Sequence, residues 1–286
     1  MQAHPHMIHP PKHLILLAFA LLTVLLSPQS PAAPPTEPDN HITATLQAST
    51  NPVPGQPFIL ALTLTIEEGW HTYWPGINDT GYGISLTFDP VPGLTFNDPV
   101  FPTPKRHIAP GNILDHIYEN QITIYIPAQL DDTFAPGDQL TINTTIDYLI
   151  CKELCIPESA TASAALKVAD SNDPNPHTKF LAKLANKHPT NLTNASPRWS
   201  ISQLQLSIPN ATHYIFYPDN NCTNPADLIT QGDTESHALT ITFDRRYEVD
   251  PTTPAVLSGR LRAKINDTWH DYDIDYTQPT RTETTP

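Results

Sequence analysis

The chain has 286 residues, a formal net charge of −14 at pH 7, 32 prolines against 10 glycines, and only three cysteines. A surface that acidic repels phosphate backbones, which excludes nucleic acid as a ligand. Abundant Pro, Thr, Ile and Asn favour short strands and rigid loops over helices, so a mainly β protein is expected.

Met1–His13 carries Lys12 and several histidines, Leu14–Leu26 is an apolar run, and Ser30-Pro-Ala32-Ala33 supplies small residues for cleavage. This pattern reads as a signal peptide over residues 1–33. A membrane anchor would need about 20 apolar residues, whereas this run breaks at Ser27-Pro28. No cysteine follows it to take a lipid anchor, and nothing later is apolar enough to cross a bilayer. The expected product is periplasmic, with no membrane span after signal cleavage. The remaining chain, about 250 residues, suffices for two modest domains.

Residues 34–169 form the first expected domain. Strand-like runs occur at His41–Leu46, Phe58–Ile66, Trp70–Trp74, Ile84–Phe88, Leu94–Phe96, Gln121–Ile126 and Leu140–Ile150, with Ala160–Val168 closing the unit. They are bounded by Pro, Gly, Asn or Asp, and no long amphipathic helix separates them, which predicts an antiparallel β-sandwich. Residues 170–197 read as a linker. Within it Phe180, Leu181 and Leu184 put apolar residues on one side of a short helix spanning His177–Lys187. A second, smaller β-rich domain is expected over 198–277, with strands at Ile201–Ile208, Tyr214–Tyr217, Ala238–Phe243, Ala255–Ile265 and His270–Tyr276. It is small for an independent core, which favours packing against the first domain. Residues 278–286 read as a disordered polar tail.

The densest chemistry lies in Asp147-Tyr148-Leu-Ile-Cys151-Lys-Glu-Leu-Cys155-Ile-Pro157-Glu158. A close cysteine pair in an oxidising compartment is a staple or a redox centre. A disulfide needs Cα atoms about 4.4–6.8 Å apart, whereas four strand steps span roughly 13 Å, so the pair closes only if the chain turns between Cys151 and Cys155. Closing so short a loop removes little chain entropy, which favours a switchable dithiol over a staple.

Four motifs now stand in order: Gly69-Trp70-His71-Thr72-Tyr73-Trp74-Pro75-Gly76, Asp79-Thr80-Gly81, Pro99-Val-Phe101-Pro102-Thr-Pro104, and the cysteine segment. Together, over roughly Ile42–Val168, they resemble the periplasmic amino-terminal domain of DsbD-type thiol:disulfide interchange proteins. The resemblance implies an immunoglobulin-like sandwich whose cysteine pair takes electrons from a membrane-embedded thiol reductase. It would pass them to periplasmic disulfide isomerases and to thioredoxin-like proteins of cytochrome maturation. A related branch is linked to copper tolerance. The best-studied members have a longer spacing between their cysteines. The usual polytopic membrane domain and thioredoxin-like domain do not follow here, so the chain is expected to borrow a reductant or to have taken another role.

The pair's chemistry agrees with this picture. Exchange needs one reachable sulfur and a second close enough to resolve the mixed disulfide. Cys155 suits the first role, because Pro157 holds the chain extended beyond it, and Cys151, ending an apolar strand, suits the second. Lys152 and Glu153 roughly cancel, so no strongly activated thiolate is expected. The resemblance also implies a loop that caps the cysteines. By chain order this is Phe101–Leu114, with Phe101, Pro102, Tyr118, Pro157 and Tyr148 as cap or supporting residues. Trp70, Tyr73 and Trp74 read as core or sheet-edge packing. His107 and His116 raise a soft-metal site with the thiols, but no tight His-x-His or Cys-x2-Cys pattern supports one, so no metal and no cofactor is expected. Cys222 reads as an incidental free thiol in a loop. The alternative function is a non-catalytic β-sandwich binding module, for copper handling or as an adaptor, with a structural disulfide.

Overall fold

A computed structural model of the chain describes residues 40–171, 189–246 and 253–279. The expected signal peptide and the helix at 177–187 lie outside the described residues. The protein is mainly β, as its composition predicts.

The first region contains β1 (Ile42–Ala48), β2 (Pro57–Ile66), β3 (His71–Tyr73), β4 (Ser85–Phe88), β5 (Leu94–Phe96), β6 (Lys105–Ala109), β7 (Ile113–Glu119), β8 (Gln121–Leu130), β9 (Gln139–Cys151) and β10 (Cys155–Lys167). One sheet has the order β1-β2-β8-β5; the other runs β10-β9-β3-β7-β6, with β4 also pairing β9. Alternating apolar residues on facing strands, among them Leu60, Leu62, Leu64, Ile124, Ile126, Ile142, Ile146 and Ile150, fill the core between the sheets. Burial of alternate positions fixes the register, since a slip of one residue would turn each strand's apolar set to water.

Two elements differ from expectation. Phe101–Leu114 is not an open loop: most of it is the hairpin β6–β7, turning through Pro110-Gly111-Asn112, where Gly111 has φ 96° and Asn112 φ 61°. Its histidines and charges hid the alternation, because one face of β6 meets a second region and the other is only half buried. The last strand begins at Cys155 itself, five residues before the expected Ala160.

The second region holds β11 (Thr190–Asn191), β12 (Ser196–Trp199), β13 (Gln203–Ser207), β14 (Ala211–Pro218), the one-turn helix α1 (Leu228–Gln231), β15 (Asp233–Thr234), β16 (Leu239–Thr242), β17 (Val256–Ile265) and β18 (Thr268–Thr277). Its sheets, β11-β18-β17-β14-β15 and β12-β13-β16, enclose a separate core containing Leu204, Leu206, Tyr214, Phe216, Leu257 and Leu261. β11 and the first two residues of β12 fall inside the expected linker. Gln278, assigned to the tail, is anchored, its backbone N–H donating to Ala255 O at 2.7 Å and its side chain to Ser200 O at 2.7 Å.

The two regions interlock through polar contacts. Trp74 Nε1 donates to Pro218 O at 3.3 Å. Arg260, 3% exposed, pairs with Asp273 at 2.7 Å, donates to Phe101 O at 3.1 Å and lies over the Trp74 ring. Arg106 of β6 donates to the carbonyls of Leu228 and Ile229 on α1.

Candidate redox site

The sheet register assembles the site. Cys155 faces Cys151, Cys151 faces His71, and His71 faces Glu119, so one row crosses β10, β9, β3 and β7. Cross-strand partners project to the same face. The turn Lys152-Glu153-Leu154 brings the two cysteine Cα atoms to 4.2 Å, and the sulfurs form a disulfide. Cys151 is 3% exposed and Cys155 is on the surface. Leu154, 78% exposed, and Ile156, 40% exposed, flank Cys155 and give its rim an apolar character.

Tyr73 is the residue that sequence reasoning missed. Its hydroxyl donates to Cys151 Sγ at 3.1 Å and lies 3.5 Å from Cys155 Sγ. With Ile117, Leu149 and Cys151 it makes a small apolar cluster on the outer face of the sheet, apart from the main core. Burial pushes the Tyr73 hydroxyl above its usual range, and the Thr80 hydroxyl offsets part of this. The segment over the ring is Thr80–Gly81: a Cβ on Gly81 would lie 2.3 Å from Tyr73 Cε1, so only glycine lets the chain pass. Asp115 fixes that segment, accepting from Thr80 N at 3.0 Å and from its hydroxyl at 2.6 Å. The signal was present in the sequence as Tyr73 and Asp79-Thr80-Gly81, but an aromatic after a turn looks the same whether it packs in a core or touches a sulfur.

The residues expected to cap the sulfurs divide between two faces. His107 shares the outer face, 5.8 Å from the His71 ring centroid. Tyr118 pairs with Thr72 and so faces inward, donating to Pro102 O at 2.6 Å, while Phe101 packs edge-on against Trp74. Phe101, Pro102 and Tyr118 therefore gather toward the second region, on the side away from the sulfurs. Pro157 continues β10 as an exposed, extended residue. Tyr148 is buried on the inner face and donates to Glu158 Oε2 at 3.1 Å, while Glu158 Oε1 lies 2.6 Å from His41 Nδ1. That chain of contacts holds the start of β10 and the redox hairpin with it.

The two histidines raised as metal ligands lie on opposite faces. His116 is fully buried against Tyr217, its Nδ1 bonded to Ile77 O at 2.9 Å and its Nε2 without a partner among the described residues. Burial drives its pKa down to about 4. Among the described residues no group of three or more His, Cys, Asp or Glu could hold a metal ion. Cys222 is buried in the second core, and burial pushes its thiol up to about 12.

The molecule is thus a β-sandwich protein with a redox-type disulfide at the edge of one sheet. Residues 39–167 match the family model of the amino-terminal domain of the thiol:disulfide interchange protein DsbD, and this part of the chain is a DsbD N-terminal-type domain. The N-terminal periplasmic domain of ScsB from Proteus mirabilis has the same fold at 16% identity and TM-score 0.54, the likeness covering 85% of this chain and 97% of that one. The reduced N-terminal domain of Neisseria meningitidis DsbD aligns at 15% identity over 51% of this chain and all of its own, with TM-score 0.28. No curated protein matches.

Proposed function

We propose that the protein is a periplasmic electron relay. A membrane-embedded thiol reductase reduces the Cys151–Cys155 pair, which then reduces thioredoxin-like proteins or disulfide isomerases. The observation that carries this reading is the asymmetry of the pair: Cys155 is exposed between Leu154 and Ile156, and Cys151 is buried one strand inward. A structural staple has no use for such a difference, whereas exchange requires one reachable sulfur and one sheltered resolver. The Tyr73 hydroxyl supports the same reading, since a donor at 3.1 Å stabilises sulfur as it takes up negative charge. Export to the periplasm is supported by the apolar run Leu14–Leu26 and by the family of residues 39–167. Among the described residues no helix is long and apolar enough to cross a membrane.

Cys155 meets the partner and Cys151 resolves. Cys151→Ala should therefore trap a covalent complex between Cys155 and a thioredoxin-like partner, visible on non-reducing gels, and Cys155→Ala should trap little. Equal trapping by both variants would mean shared or reversed roles. Trapping by neither would make the disulfide a scaffold and the protein a binding module.

A further inference from the structure

Resolution places a chemical demand on Cys151. A buried thiol is a poor nucleophile until it loses its proton, so a base must stand beside it. Five titratable groups on the outer face bear on the choice; His107 stands on β6, two strands beyond β3, and three of the other four are otherwise engaged. Asp115 accepts two hydrogen bonds from Thr80. Glu119 is ion-paired with Lys105 at 2.9 Å. Tyr73, its hydroxyl pushed up by burial, holds its own proton at neutral pH. His71 remains. It sits in register with Cys151, which puts their Cβ atoms about 4.5–5.5 Å apart on one face. No hydrogen bond to another described residue engages its ring nitrogens. Its ring lies 5.5 Å from Tyr73 and 5.8 Å from His107.

We propose that His71 is the base that takes the proton from Cys151 when that sulfur resolves the mixed disulfide on Cys155. The inference rests on the interchange reading above. Cys151 S–H gives its proton to the imidazole, and the resulting thiolate attacks Cys155 Sγ. The bond between Cys155 and the partner sulfur breaks as the Cys151–Cys155 bond forms. The departing partner thiolate takes up the proton that His71 received, so the step balances without a further oxidant or reductant. The surroundings suit the task. Burial is the main cause that holds His71 below the usual histidine range, and the neighbouring His107 lowers it further; Glu119 and Asp115 act in the opposite sense, and Lys105 in the same sense as His107. The imidazole is therefore free to accept a proton at neutral pH. The second region contributes to this arrangement. Arg106, bonded to α1, and His107 are adjacent on β6 and project to opposite faces, so the contact that anchors Arg106 also holds His107 beside His71.

The test uses the reduced full-length protein and dithiobis(nitrobenzoate), which releases one nitrothiobenzoate as Cys155 reacts and a second as Cys151 resolves the adduct. In the wild type the rate of the second release should rise through an inflection below pH 6.5 and then level off. His71→Asn should lose that inflection and slow the second release ~10²-fold at pH 7, the scale of general-base catalysis, with the gap closing at alkaline pH as Cys151 ionises unaided. His107→Asn should move the inflection upward. Continued silence of the buried Cys222 reports an intact fold in each variant; should His71→Asn expose it, the His107→Asn shift decides alone. A His71→Asn protein with the wild-type rate and inflection would overturn the proposal, as would an unmoved inflection in His107→Asn. No second release from the wild type would remove the interchange reading, and this inference with it.

Discussion

The two β regions each contain cysteine, yet they treat it in opposite ways. In the first, a strand ends at Cys151, turns through three residues and restarts at Cys155, so both sulfurs lie on the outer sheet face beside the Tyr73 hydroxyl, whose ring Gly81 covers. In the second, Cys222 is packed among Tyr214, Phe216 and Leu257 and bonded at 3.3 Å to the carbonyl of Thr223. The same contrast holds for histidine. His71 lies half-buried beside the sulfurs, and His116, on the opposite face of the same sheet, is sealed against the second region. Reactivity here is decided by which face of a strand a residue occupies, and alternation along β3 and β7 switches that face at every residue.

The largest expected effect tests the cysteine contrast. A thiol raised from 9.0 to about 12 has ~10³-fold less thiolate at neutral pH than an ordinary one. After reduction, iodoacetamide should modify Cys155 at least that much faster than Cys222, with peptide mapping to separate the sites. Comparable rates would break the comparison.

A smaller effect tests the histidine contrast. His116 has its folded pKa lowered from 6.5 to about 4. Below pH 6.5 the unfolded chain binds a proton there that the folded chain does not, so its contribution to stability is lost as pH falls from 6.5 toward 4. Between pH 7 and pH 4.5 that loss is about 2–3 kcal/mol. Urea unfolding at the two pH values should show it in the wild type, and His116→Gln should lose less between them by about that amount. Equal losses in the two proteins would mean that water reaches the ring.

The smallest effect concerns Tyr73. Removing its hydroxyl in Tyr73→Phe should cost the thiolate about 1 kcal/mol, raising the pKa of Cys151 by somewhat under one unit. Thiolate ultraviolet absorbance of the reduced pair against pH would register this. An unmoved titration would assign Tyr73 to packing alone.

Much of the fold was legible in the sequence because β-branched alternation and Pro or Gly boundaries are local signals. Leu94–Phe96 forms a strand at its expected limits, and the long runs at β2 and β9 lie close to theirs. The hairpin β6–β7 was not legible. Its Lys105, Arg106, His107 and His116 read as loop polarity, yet the Arg106 side chain is only 7% exposed and His116 is buried, because a second sandwich covers them. A residue's neighbours along the chain do not reveal a partner 120 residues away.

The chemistry divides in the same way. The sequence by itself determined that the short segment ending at Pro157 holds the pair, that the chain turns within it, and which cysteine is reachable, since apolar content before Cys151 and proline after Cys155 are properties of the local chain. Only the tertiary structure decided what surrounds the sulfurs. Tyr73, His71 and His107 come from strands far from the cysteines in sequence and meet them through the order of the sheet, β10-β9-β3-β7-β6. Strand order is set by long-range burial of both faces, which carries no local signature, and so the partners of the disulfide could be read only after the strands were placed side by side.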